Sequence, residues 1–218
     1  MGKSESEYDT VYRNLLDDTD YTAARGNWQN GEIEIVEITN SQEYNGVDIE
    51  KVGVMYADKY ITLVRDVVKF PTGLLGTYLR VLGTSGKGGV CIIPRFDNKF
   101  VLIRHFRHAT RRWHVEFPRG FAESLDLADD AKRELEEELA TGADGFNFLG
   151  FVFPDTGLLS TKIAVFIGDL KSEPIAQGDN GYAELVLVSE SELRALVLSG
   201  GVDDAITISA FAYVLCSK

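Results

Sequence analysis

The sequence predicts an α/β fold of the α+β kind. A mixed sheet is sandwiched between helices as an α/β/α layer arrangement, with a small β module ahead of it. Three observations carry this expectation. Short apolar alternations bounded by turn residues recur along the chain, in the manner of strands. Well-formed helical spacing appears in few places, all of them after residue 126. Strands and helices do not alternate regularly, which argues against a doubly wound parallel sheet.

Taken in order, the first twenty residues or so are polar and read as a frayed helix or an arm. Residues 32–39 alternate in period two, as a strand with one buried face does. A second strand is expected over 60–69, closed by the turn residues Phe70, Pro71, Thr72 and Gly73. Strands over 78–82 and 89–94 follow, joined by a glycine-rich link over 83–88. That link has the wrong glycine spacing for a phosphate-binding loop and is read as a flexible hairpin turn. Phe96, Asp97 and Asn98 turn the chain into a strand over 99–106. After Glu116-Phe117-Pro118-Arg119-Gly120 comes a helix over 127–141, then strands over 146–153, 162–170 and 184–188. Ser189-Glu190-Ser191-Glu192 has the form of a capping box before a short helix over 193–198. A last helix fills 203–215. The domain boundary is placed after residue 58, with 1–58 as the N-terminal module and 59–218 as the main domain.

Bulk properties narrow the function classes. With 44% apolar and 26% charged residues, the chain is an ordinary globular protein. The net charge of −12 opposes binding to a nucleic-acid backbone. It permits a small anionic ligand if a divalent cation inverts the local field. No apolar run reaches the roughly 20 residues that span a bilayer, and residues 1–15 lack a signal-type segment. A cytoplasmic protein without membrane or nucleic-acid partners is therefore expected. Cys91 and Cys216 have no metal-ligand spacing and read as buried, reduced core residues.

The chemistry is concentrated on the helix over 127–141. At 100° per residue Ala128, Ala131, Leu135 and Leu139 form one apolar stripe. Glu134, Glu137 and Glu138 project on one flank of that stripe, while Glu136 points to solvent. Arg133 stands i,i+4 from Glu137 and can pair with it. A Glu-rich run is usually just a solvated face. Here the carboxylates adjoin the core, and a loop with Pro118 and Gly120 precedes them. Hard oxygen ligands so placed suit Mg²⁺, with Mn²⁺ as the alternative.

The segment resembles the Nudix box, G-x5-E-x7-R-E-U-x-E-E-x-G-U, where U is aliphatic. Arg133-Glu134-Leu135-Glu136-Glu137-Glu138 matches without a gap. Asp126 stands where the first Glu belongs, one residue too close to Arg133, and Ala140 and Thr141 replace the closing pair. The lead-in Glu116-Phe117-Pro118-Arg119-Gly120, the segment ending Arg104-His105-Phe106-Arg107, and Asp203-Asp204-Ala205 are similar to the ADP-ribose pyrophosphatase group of this superfamily.

The resemblance implies a Nudix-type fold and a metal-dependent pyrophosphatase that cleaves ADP-ribose to AMP and ribose 5-phosphate. Glu134, Glu138 and Glu137 would hold the cation, with the Arg119 carbonyl nearby and Glu116 as a further ligand or substrate contact. Glu137, Glu138 and Arg133 form the catalytic cluster. The general base would be a carboxylate of a later loop, Asp179 or Glu184, between which the sequence does not choose. Arg104 and Arg107 are candidate phosphate contacts, together with Glu116 and Gly120. Their odd spacing puts the two arginines on opposite faces of a regular strand, so sharing a site requires a bulge. Trp28, Trp113 and Tyr182 could stack on a base, but core or interface packing is the favoured reading. His105 and His108 read as structural. The same resemblance implies a homodimer formed through the N-terminal module. Two other readings stay open: hydrolysis of another nucleotide sugar or an NADH-type dinucleotide, and a non-catalytic nucleotide sensor.

Overall fold

A computed structural model describes residues 12, 25–36, 52–83, 88–124, 126–177 and 184–217. The chain divides into two compact units, residues 1–86 with 155–160, and residues 87–154 with 161–218. The strands of residues 61–83 therefore belong to the first unit, beyond the boundary expected at 58.

The first unit holds a four-stranded antiparallel sheet built from β1 (Glu34–Ile35), β2 (Gly53–Ala57), β3 (Ile61–Lys69) and β4 (Leu75–Gly83). The β-branched run of β3 makes it the spine, with Val64, Val67 and Val68 buried. One edge of β3 pairs along its length with β4, from Ile61↔Gly83 to Lys69↔Leu75. Its other edge takes β2 near Thr62 to Arg65 and β1 at Val68 and Lys69. The sequence pattern misses β2 because a register shift between Val54 and Tyr56 breaks its period-two alternation. Of the strand expected over 32–39, Glu34–Ile35 forms β1 and the Val36 amide donates to the Val67 carbonyl, while residues 37–39 lie outside the described residues.

The second unit holds a seven-stranded mixed sheet: β5 (Gly89–Phe96), β6 (Lys99–Arg107), β7 (Arg112–Glu116), β8 (Arg119–Phe121), β9 (Ala143–Val152), β10 (Ile163–Leu170) and β11 (Glu184–Val188). Its order is β11-β6-β5-β10-β9, with β7 beside β6 and β8 beside β5. Only β10 and β5 run parallel. The link over 83–88 is consequently not a hairpin turn. β4 pairs with β3, whereas β5 pairs with β10, β6 and β8. Glycines show that a chain can turn but not which strand it will meet, and residues 84–87 lie outside the described residues. A true hairpin joins β5 to β6, where Asp97 and Asn98 both take positive φ, 49° and 59°.

Alternation along β5 and β6 feeds two cores, one on each face of the sheet. Val90, Ile92, Val101 and Ile103 pack with Ala131, Leu135 and Leu139 of α1 (Leu127–Leu139). Cys91, Ile93, Phe100 and Leu102 pack with Leu193 of α2 (Glu190–Ser199) and with Ile206, Ala210 and Phe211 of α3 (Ala205–Cys216). Each fully buried large aliphatic contributes roughly 1.5–3 kcal/mol. This is the expected helix–sheet–helix layering. The capping box of α2 is formed, with the Ser189 hydroxyl accepting from the Glu192 amide and the Glu192 carboxylate from the Ser189 amide.

Arg112 and His114 lie on strand β7, a polar run held by pairing with β6. Cys216 is exposed, being the last residue of α3, while Cys91 is buried as expected. No helix among the described residues is long and apolar enough to cross a membrane.

Candidate active site

Helix α1 is fixed at both ends by its own sequence. Asp126 caps its N-terminus, accepting from the amides of Ala128 and Asp129 at 3.0 and 3.2 Å. Leu135 and Leu139, fully buried, dock the stripe on the sheet. That docking sets the flank: Glu134 is buried, Glu138 half-buried and Glu137 exposed, while Glu136 faces solvent as expected. Arg133 ties the flank together. Its Nη1 donates to both Glu137 oxygens at 2.9 and 3.1 Å, and its Nη2 lies 2.9 Å from Glu134 Oε1 and 3.2 Å from the Phe121 carbonyl. Burial pushes the Glu134 carboxyl above its ordinary range, against the opposing pull of Arg133.

Strand β8 approaches from the other side. It pairs with β5 through Gly120↔Val90, and a Cβ at residue 120 would overlap the Glu134 carboxylate. Glycine thus leaves room for the Glu134 carboxylate where it stands. The side chain of Glu134 lies directly against the main chain of β8.

A cavity of about 420 Å³ opens beside this contact. Glu134, Glu137 and Glu138 line it together with Arg107, Arg119 and His105. Glu116 does not line it but stands behind it, wholly buried. Arg107 grips Glu116 with both ends of its fork, Nε to Oε2 at 3.1 Å and Nη2 to Oε1. Arg119 Nη2 lies 3.5 Å from Glu116 Oε2 and 3.6 Å from Asp204 Oδ1. His105 Nδ1 lies 3.7 Å from Glu116 Oε1; burial, and then Arg107, hold its pKa below the ordinary imidazole value.

Asp204 also caps α3, accepting from the amide and hydroxyl of Thr207 at 2.8 Å each. The same hydroxyl accepts from the Phe117 amide at 3.0 Å, so α3 and the segment before β8 are locked together. Sequence reading missed Thr207; its position three residues after a capping Asp was the available signal.

Other expected site residues are not gathered here. The β6–β7 register is unbroken from Ile103↔Glu116 to Arg107↔Arg112, so no bulge brings Arg104 round to Arg107. Arg104 instead pairs with Glu184 at 3.2 Å and lies over the Trp113 ring, and neither Arg104 nor Glu184 lines the cavity. Asp179 and Tyr182 lie outside the described residues. Trp28 sits in the first unit beneath Lys69, whose Nζ is 3.8 Å from the ring centroid. His108 pairs with Arg111 at 2.8 Å, a structural contact in the turn after β6.

The residues present fit a hard divalent cation. The donors on the acidic wall are all carboxylate oxygens, and the absent Cβ of Gly120 leaves a cradle beside the one that burial disfavours as an anion. Among the described residues no three acids already stand in ligating arrangement, since Arg133 draws Glu134 and Glu137 toward itself.

Comparison with known proteins agrees with this geometry. The NUDIX domain matches residues 87–207. The ADP compounds hydrolase NudE of Escherichia coli (strain K12) is 28% identical over 114 residues, 51% of this chain and 60% of that protein. The chain thus spans less than two thirds of that relative's length. The ADP-sugar pyrophosphatase of Mus musculus is 26% identical over 180 residues, 73% of this chain and 82% of that protein. A crystal structure of an ADP compounds hydrolase shares the fold with a TM-score of 0.64 at 21% identity, covering 76% of this chain and 90% of that one.

Proposed function

The chain belongs to the NUDIX family, and from that premise we propose that it hydrolyses the diphosphate bond of a nucleoside diphosphate derivative, with ADP-ribose as substrate. One observation carries this reading. A single cavity is lined by Glu134, Glu137 and Glu138 together with the guanidinium groups of Arg107, Arg119 and Arg133. Such a site can hold a cation and a diphosphate together. Both curated relatives are named for ADP-bearing substrates, which supports the adenosine half.

Glu134, Glu137 and Glu138 would hold Mg²⁺ or Mn²⁺. When bound there, the ion supplies charge neutralisation of the diphosphate and a lowered pKa for the attacking water. Arg107, held by Glu116, lines the cavity and would face the phosphoryl oxygens. Water adds at one phosphorus, the bond from that phosphorus to the bridging oxygen breaks, and AMP and ribose 5-phosphate leave. The proton of the water passes to a carboxylate. Glu137 and Glu138 line the cavity and are the first candidates, whereas Glu184 is engaged by Arg104 outside it. Arg133 positions Glu134 and Glu137 rather than touching substrate.

A second reading, a non-catalytic nucleotide sensor, is favoured by one observation: Arg133 neutralises two of the three carboxylates. One panel separates the two. ADP-ribose, a nucleotide sugar, NADH and a dinucleoside polyphosphate are incubated with Mg²⁺, Mn²⁺ or EDTA, beside Glu138→Gln. Release of AMP from ADP-ribose that needs metal and drops at least about a hundredfold in the variant establishes the hydrolase. Binding without turnover of any compound establishes the sensor. Preference for another compound reassigns the substrate. We also propose a homodimer formed through the first unit, which exposes Tyr56, Tyr60, Leu74 and Tyr78; a monomer mass by light scattering removes it.

A further inference from the structure

We propose that the side chain of Arg119 contacts a phosphoryl group of the substrate, an assignment that rests on the diphosphate reading above. Glu116 serves two guanidinium groups unequally. Arg107 takes both of its oxygens in direct hydrogen bonds. Arg119 stands off at 3.5 Å, and at 3.6 Å from Asp204, whose other oxygen is occupied by the cap of α3. Both separations exceed an ordinary N–H···O bond.

The Nε of Arg119 is also buried, with no hydrogen-bond partner among the described residues. Buried donors are nearly always paired in native proteins. A guanidinium held beside an open cavity by two distant acids, with a donor unmatched, points to an acceptor that arrives from outside. Arg107 gives Nε and Nη2 to Glu116, and Arg133 is held by Glu134 and Glu137, so Arg119 is the arginine of this cavity with the loosest hold on protein acceptors. A phosphoryl group matches the planar fork in charge and shape. Glu134, Glu137 and Glu138, which line the same cavity, would hold the cation that such an anion needs. Glu116 and Asp204 are then positioning residues for Arg119.

The test compares wild type, Arg119→Lys and Arg119→Gln. Calorimetry measures binding of α,β-methylene-ADP, a diphosphate that cannot be cleaved at its bridge, with Mg²⁺ present. Initial rates give kcat and KM for ADP-ribose, and thermal unfolding checks the fold. In Arg119→Gln, methylene-ADP should bind at least about tenfold more weakly and KM should rise by a similar factor, with kcat within about threefold of wild type. Arg119→Lys keeps the charge but loses the fork, and should fall between them. Wild-type affinity and KM in a folded variant overturn the assignment, as does failure of the wild type to bind methylene-ADP. If Arg119→Gln does not fold, Arg119→Lys decides on the same criteria. Binding lost in the variants while the wild type turns over nothing keeps Arg119 and removes the hydrolase reading. Normal turnover with unchanged KM and affinity does the reverse.

Discussion

The carboxylate of Glu134 occupies the space in which a Cβ of residue 120 would stand. An acid on α1 and a glycine on β8 are thus one structural unit. The obstructing atoms are the far end of a flexible side chain, so Gly120→Ala can be accommodated by turning Glu134 away. The fold should survive with a loss below roughly 1 kcal/mol, while a misplaced ligand costs about tenfold or more in metal-dependent turnover. Denaturant unfolding and turnover measured on the same preparation check this. Large destabilisation with activity intact would show that the carboxylate cannot move and does not matter.

Helix α1 leaves through Ala140, which adopts φ 55° and donates its amide to the Glu136 carbonyl. Alanine replaces the closing glycine of the motif here, and the left-handed cap forms regardless. A left-handed Cβ costs roughly 1–2 kcal/mol, partly offset by the greater unfolded-state freedom of glycine. Ala140→Gly should therefore stabilise the chain by about 0.5–1 kcal/mol, raising Tm by a few degrees. A lowered Tm would mean that the cap is relaxed in alanine form.

How much of this was legible in the sequence depends on whether the signal was local. The apolar stripe of α1, the Arg133–Glu137 pair and the Ser189 capping box are set by residues within a turn or so of each other, and all are found as read. The expected layering of a sheet between helices is likewise found. Strand partners were not legible. The glycine-rich link before β5 suggested a hairpin, yet β5 pairs in parallel with β10, far along the chain. Two residues at the candidate site had the same difficulty. Glu116, expected as a ligand or substrate contact, is buried between Arg107 and Arg119, and Arg104, expected beside Arg107, pairs with Glu184 along an unbroken register.

Glu116 gives a further prediction. A buried carboxylate shared by two arginines is costly to neutralise, but Arg107 and Arg119 are 27% and 25% exposed and border the cavity, so water reaches the charges left behind. Glu116→Gln should cost about 1–3 kcal/mol of unfolding free energy. The double replacement Arg107→Met with Glu116→Met should cost less than the two single changes added together, as partners in one network are not independent. Additive costs in urea titrations would show that the pair carries no coupling.

The last prediction concerns Asp203, which joins β7 to the entry of α3. Its Oδ1 lies 2.7 Å from His114 Nδ1, and its Oδ2 accepts from Arg112 at 2.8 Å. The hydrogen bond with His114, aided by Arg112, holds this carboxyl below the ordinary Asp range against the opposing effect of burial. A folded-state pKa below the unfolded value means that folding favours the ionised form. The resulting stability is fully present above the unfolded Asp value, about 3.9, and is lost as pH falls through the lower folded value. Asp203→Asn should lower Tm at neutral pH, and the difference from wild type should shrink as pH falls below about 4. The group is 39% exposed, so solvent screening keeps the effect small. Thermal unfolding of both proteins from pH 7 to about 2.5 reads it directly. Parallel curves over that range would show that Asp203 holds the helix entry by shape rather than by charge.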